Sequence, residues 1–205
     1  LDKDKVERGY AVADAYFNEE NGRKPLASLN DDERLAFFSR YEQILLENAG
    51  LPVSLDLAKD VWQLAMAVPK DFVAFEDTIP ALKSLKSRGY RMGILSNLRR
   101  DMGAICKQLG IDEYLDFCIN SAEAGAEKPH PPIFLAALKR VSVAPDEAVH
   151  VGDQYHSDVM GARGVGIHPV LIDRGGWQAA VEDCPKISSL GDLLSLLEGA
   201  PGSLA

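Results

Sequence analysis

From Phe72 onward the sequence alternates between short apolar runs of strand length and segments with helical periodicity. No other feature constrains the fold as strongly. "YRMGILSN" (90–97) reads as a short buried strand ending in polar residues, and "DFCIN" (116–120), "EAVHVGD" (147–153) and "IHPVLID" (167–173) read in the same way. Between them lie helical stretches. Ile79, Leu82 and Leu85 line one face of a helix that stops at Gly89, a residue suited to the left-handed C-terminal position. A second helix runs to Leu109 and Gly110, "PPIFLAALKRV" forms a third and "SDVMGARGVG" a fourth, and "ISSLGDLLSLLEG" closes the chain with a last one. Strands alternating with helices at this spacing require right-handed crossovers, hence a parallel sheet with helices on both faces. The expected fold class is therefore α/β, a Rossmann-like parallel core over residues 72–205.

Residues 1–71 follow a different grammar. Val6, Tyr10, Ala13 and Phe17 recur at helical spacing as one apolar stripe. Asn30 followed by Glu33 is the pattern of a capping box, and Leu35, Phe38, Tyr41 and Leu45 continue a buried face after it. "LDLAKDVWQLAMAV" reads as a further helix, and no strand signal precedes Pro69. This first unit is expected to be all-helical, with Trp62 and the Phe and Tyr side chains as its core.

Composition narrows the function. A net charge of −9 argues against a nucleic-acid partner, whose phosphates attract clustered Lys and Arg. It leaves room for a small phosphorylated substrate, which needs only a local positive site. No apolar run approaches bilayer length, so no membrane span is expected, and no leader pattern opens the sequence. The three cysteines, Cys106, Cys118 and Cys184, match neither a zinc pattern nor a disulfide framework, which points to reduced thiols in a cytoplasmic protein. The four histidines have no mutual spacing that makes a metal cluster.

In parallel α/β sheets, ligands bind beyond the carboxyl ends of the strands. Ser96, Asn97, Gly152 and Asp153 stand at those ends, with Lys128 on a neighbouring loop and Asp158 five residues after Asp153. Asp153 and Asp158 supply hard oxygen ligands of the kind that suit Mg²⁺. Ser96 offers a hydroxyl, the amides around Asn97 can hold an anionic oxygen, and Lys128 contributes positive charge. Together these groups describe phosphoryl chemistry, in which positioning and charge neutralisation do most of the work.

Three stretches then carry a resemblance. "GILSN", "AEKPHPPIF" and "HVGDQYHSDVMGA" resemble motifs two, three and four of the haloacid dehalogenase (HAD) superfamily, in the same order and strand contexts. Residues 1–71 are similar to the helical cap that these hydrolases insert between motifs one and two. "VLIDRGGW" also resembles a stretch in the subfamily of haloacid dehalogenase-like hydrolase domain-containing proteins. The resemblance implies roles. Ser96 and the Asn97 amide bind the transferring phosphoryl group, and Lys128 damps repulsion between the nucleophilic carboxylate and the phosphate. Asp153 coordinates Mg²⁺, and Asp158 orients the metal's water shell or Lys128. The Gly152-Asp153…Asp158 loop has the GDxxxxD form of the family's phosphatases, whereas its dehalogenases use no metal. The expected activity is that of a Mg²⁺-dependent phosphatase of small phosphorylated metabolites acting through an aspartyl-phosphate, with a 2-haloacid dehalogenase as the weaker alternative.

Motif one, DxDx[TV], is not found. The only DxD is Asp2-Lys3-Asp4, which lacks an apolar strand before it and suits a helix N-terminus instead. The family's motif-one strand is central, between the strands ending at Asn97 and at Asp153, so two strand edges are expected to face a gap. The start at Leu1 rather than Met suggests an upstream segment. Three readings follow: a parent protein with that segment, a truncated chain that closes its sheet directly or by strand exchange in a dimer, or a nucleophile-less protein with a binding role. The first is preferred, and the sequence carries no other signal of oligomeric state.

Overall fold

In the computed structural model, residues 2–68, 71–98, 100–176 and 178–199 are described. Arg99, Trp177 and the tail from Ala200 onward lie outside them. The chain divides into two compact units, Leu1–Asp71 and Phe72–Ala205.

The first unit contains α1 (Lys3–Arg23), α2 (Asp31–Asn48) and α3 (Leu55–Ala67), with no strand among its described residues. The α1 helix is capped by Asp2, whose carboxylate accepts from the Asp4 amide at 3.3 Å, so the DxD pair serves a helix start. The Asn30–Glu33 capping box forms in both directions, at 2.9 and 3.0 Å, and Ser54 caps α3. The expected apolar stripe on α1 holds at Ala13, which is fully buried, and at Val6 and Phe17, which are half-buried, but Tyr10 is half exposed. Gly9 explains the exception. A Cβ there would stand 2.4 Å from the Leu45 carbonyl oxygen, so α1 and α2 approach through the glycine and not through Tyr10. The aromatic core centres on Phe37, which stacks on Tyr16 and meets Phe17 and Phe38 edge-on; Trp62 stacks on Phe38.

The second unit is built as α4 (Thr78–Ser87), β1 (Gly93–Ser96), α5 (Met102–Gln108), β2 (Phe117–Asn120), α6 (Ser121–Ala124), α7 (Pro131–Val141), β3 (Val149–Gly152), α8 (Gly161–Arg163), β4 (His168–Ile172), β5 (Lys186–Ile187) and α9 (Leu190–Glu198). A π-helical turn, Tyr155–Met160, leads into α8 where the sequence predicts one regular helix. Gly89 and Gly110 adopt the left-handed conformation after α4 and α5. The short α6 and β5 carry no sequence signal and were not expected.

All strand pairings are parallel, but they form two sheets: β1 with β2, and β3–β4–β5. No pairing joins β1 to β3 among the described residues. Helices cover both faces. On one, Ile133, Phe134, Ala137 and Leu138 of α7 pack with Ile119 and Leu95 and also with Ala162 and Ile167, so α7 spans both sheets. On the other, Leu85 and Leu193 pack with Val170 and Ile187 and against Met92 and Val151. The loop before α7 meets the ends of both sheets, since Lys128 contacts Asn97 after β1 and Asp158 after β3.

Candidate functional site

Ser96 ends β1, and its hydroxyl oxygen accepts from the Leu98 amide at 3.1 Å, which leaves the hydroxyl proton to donate. Asn97 follows. Its side chain grips the backbone of Lys128 from both sides: Oδ1 accepts from the Lys128 amide at 2.7 Å and Nδ2 donates to the Lys128 carbonyl at 3.0 Å. The Ser121 hydroxyl in turn donates to the Asn97 carbonyl at 3.1 Å. The loop carrying Lys128 is thus keyed to the end of β1 by a fixed pair of amide contacts.

The Lys128 ammonium donates to Asp158 Oδ1 at 2.6 Å, with the two side chains 13% and 4% exposed. Asp158 has two further partners. His150 on β3 meets the same Oδ1 through Nε2 at 3.0 Å, and the Gln154 amide donates to Oδ2 at 3.0 Å. Burial raises the Asp158 carboxyl's pKa, but the His150 hydrogen bond and the Lys128 charge outweigh it and hold the group well below the usual carboxylate range. Gly152 makes room for this arrangement: a Cβ there would lie 2.1 Å from Asp158 Cγ. His150 is itself fixed by Phe134, whose ring meets it edge-on at 5.2 Å.

Asp153 differs from Asp158 in every respect. It is exposed, and its carbonyl oxygen accepts from Gln178 Nε2 at 2.6 Å. Gln178 is held by Asp173 Oδ2 through its own amide. Of the two carboxylates expected at a metal, Asp158 is committed to Lys128, His150 and Gln154, while Asp153 offers its oxygens outward. No group of three His, Cys, Asp or Glu able to hold a metal occurs among the described residues. The donor set fits a magnesium ion bound through one protein carboxylate, waters and substrate phosphate, a mode common for that ion. It does not fit a cage closed by protein ligands, and Asp158 belongs to the lysine.

Ser96, Asn97, Lys128 and Asp158 are therefore joined by direct contacts or by chain adjacency, and Asp153 stands next to Gly152 in the same loop system. Two partners were not singled out from sequence. His150 sits on an apolar strand, where a packed, hydrogen-bonded histidine is the ordinary reading; only the fold places it on Asp158. Gln178 carries no motif signal. His156 is half-buried, its pKa lowered by burial and by His130, and its Nδ1 has no hydrogen-bond partner among the described residues. The motif-four turn is also pinned from outside, where the Tyr155 hydroxyl donates to Asp183 at 2.7 Å and Arg163 donates to the same carboxylate at 2.8 Å.

Comparison with known proteins bears on this geometry. The family model described as haloacid dehalogenase-like hydrolase matches residues 13–166. Among curated proteins, the chain is 32% identical over 161 residues to haloacid dehalogenase-like hydrolase domain-containing protein 3 of Bos taurus, covering 75% of this chain and 62% of that one. It is 38% identical over 105 residues to glyceraldehyde 3-phosphate phosphatase of Methanopyrus kandleri, covering 51% of this chain and 45% of that one. The chain thus spans less than two thirds of the curated relatives it matches. The crystal structure of a HAD phosphatase from Thermococcus onnurineus superposes with a TM-score of 0.58 at 25% identity, covering 95% of this chain and 88% of that chain. The matched span includes the Ser96–Asn97 strand end, the Lys128 loop and the Asp153–Asp158 turn, and on that ground the chain belongs to the haloacid dehalogenase-like hydrolase family.

Proposed function

We propose that this chain is the greater part of a Mg²⁺-dependent phosphatase acting on small phosphorylated metabolites. The observation that carries the reading is the Lys128–Asp158 pair: an ammonium held at 2.6 Å by a carboxylate that stays ionised, and locked by Asn97 to the strand end bearing Ser96. Such a fixed positive charge is suited to stabilising phosphoryl oxygens as negative charge builds on them, because it needs no reorganisation during the reaction. Ser96 donates its hydroxyl proton to a phosphoryl oxygen beside it. Asp158 keeps Lys128 aimed, and His150 and the Gln154 amide keep Asp158 in place. Asp153 is the carboxylate suited to holding magnesium, which when bound neutralises phosphate charge. The family resemblance supplies the remaining role: an aspartate on an additional strand takes up the phosphoryl group.

The two separate sheets favour a place for that strand. One edge of β1 and one of β3 have no strand partner among the described residues, and both strands are only half-buried although they read as apolar. An apolar strand inserted between them would pair both edges and bring its C-terminal end to Ser96 and Asp153. In the intact parent protein this strand comes from an upstream segment; exchange between two copies is the competing source. The first unit resembles the helical cap of this family. The phosphatase reading is preferred to a dehalogenase because Asp153 and Asp158 preserve the GDxxxxD loop. The test is phosphate release from glyceraldehyde 3-phosphate and from a generic phosphomonoester by protein expressed from its full coding sequence. Mg²⁺-dependent turnover supports the reading; none in a protein verified to carry DxDx[TV] overturns it in favour of a binding role.

A further inference from the structure

Cys106 and Cys118 are separated by a helix end and a turn in sequence, yet their Sγ atoms lie 3.3 Å apart. Cys106 is 1% exposed on α5, and Cys118 is half-buried on β2, the strand against which α5 packs. Both thiols are free, and neither touches the groups assigned to the site above. Burial, together with the hydrogen bond to Cys118, pushes the Cys106 thiol up to about 12, so this group stays protonated at neutral pH and is not the first to meet an oxidant. The more accessible Cys118 is.

We propose that Cys106 and Cys118 are a redox modification site, which a peroxide converts into an intramolecular disulfide tying α5 to β2. In the first step the Cys118 sulfur attacks a peroxide oxygen. An S–O bond forms, the O–O bond breaks and one water leaves, giving a sulfenic acid. In the second, the Cys106 sulfur attacks the Cys118 sulfur; the S–S bond forms, the S–O bond breaks, and the Cys106 proton leaves with the hydroxyl as a second water. Two electrons pass from the sulfur pair to one peroxide. The low thiolate fraction of Cys106 slows this step, but a resolving sulfur held at 3.3 Å needs no diffusional search.

The link bears on the loop that follows β1. Beyond Cys118, β2 reaches Asn120 and Ser121, whose side chains donate to the Arg100 and Asn97 carbonyls at 3.1 Å each. The α5 helix starts at the other end of this loop, with Asp101 capping it through the Ala104 amide. Tying α5 to β2 therefore fixes both flanks of the segment from Ser96 to Asp101.

The experiment treats the full chain with stoichiometric hydrogen peroxide, then counts thiols after unfolding and maps tryptic peptides. Trypsin cleaves after Lys107, placing Cys106 and Cys118 on separate peptides. The expected result is a fall from three thiols to one, a peptide ending at Lys107 joined to one beginning at Gln108, recovery of all three thiols with dithiothreitol, and a raised Tm in the oxidised protein. Cys184→Ser should keep the link and fall from two thiols to none. Three persisting thiols overturn the proposal. So do an oxygenated Cys118 beside a free Cys106, a bridge to Cys184, and a bridge between molecules.

Discussion

Replacing Lys128 with alanine tests the electrostatic frame of the site apart from catalysis. The Lys128 and Asp158 side chains are 13% and 4% exposed and 2.6 Å apart, so the substitution leaves a buried carboxylate short of its main counter-charge. Removing one partner of such a pair typically costs about 3–5 kcal/mol. Here His150 and the Gln154 amide still satisfy Asp158, which favours the low end, about 3 kcal/mol. With a urea slope of about 2 kcal/mol/M, the midpoint falls by about 1.5 M. The assay is urea unfolding followed by circular dichroism, with hydrogen exchange at β3 and α7 to assign the loss to the second unit. Arg23→Ala is the control: its partner Glu19 lies at 2.5 Å, but the side chains are 65% and 61% exposed, and a loss below about 1 kcal/mol is expected. A double-mutant cycle with Asp158→Asn should give a coupling above about 1 kcal/mol. A coupling below about 0.5 kcal/mol, or equal losses in Lys128→Ala and the control, refutes the reasoning.

Other perturbations follow from the same contacts. Gly152→Ala places a methyl 2.1 Å from Asp158 Cγ and must displace the carboxylate, so differential scanning calorimetry should record a loss of at least about 2 kcal/mol. Gly9→Ala drives a methyl to 2.4 Å from the Leu45 carbonyl oxygen, and should loosen α1 from α2 with a comparable loss, seen as faster exchange of the α1 amides. The Asp158 carboxyl is held below its unfolded value, so its contribution is complete above an unfolded pKa of about 3.9 and fades as pH falls through the folded one. The stability gap between wild type and Asp158→Asn should therefore stay constant from neutral pH to about pH 5, then shrink below about pH 4. A gap that already closes between about pH 7 and 5 would show that Asp158 titrates in the ordinary range.

The fold class was legible because periodicity reports burial directly. Alternating apolar runs and helical stripes placed β1 to β4 and α7, and Asn30–Glu33 marked the start of α2. One contact escaped because it depends on a distant partner. The stripe on α1 reads as Val6, Tyr10, Ala13 and Phe17; Tyr10 lies off the buried face, and a glycine carries no hydrophobic signal to show that the helices meet at Gly9. The break between β1 and β3 was expected only from the missing motif-one strand, since each strand alone reads as an ordinary buried strand whatever stands beside it; no pairing joins the two among the described residues. In the site, residue types and spacing identified Ser96, Asn97, Lys128, Asp153 and Asp158 as candidates, but not how they divide the work. The resemblance assigns Asp153 to Mg²⁺ and Asp158 to the metal's water shell or Lys128; the structure adds the three contacts on Asp158, and only the fold brings His150 to it.

The central claim is that a fixed Lys128 ammonium and an exposed Asp153 serve phosphoryl transfer. The most direct measurement is steady-state phosphate release by protein expressed from its full coding sequence, with and without Mg²⁺, for wild type, Lys128→Ala and Asp153→Ala. Turnover should end when Mg²⁺ is chelated, and kcat/KM should fall by about 10²-fold or more in each variant. Turnover that persists without Mg²⁺, or that either variant leaves unchanged, contradicts the claim.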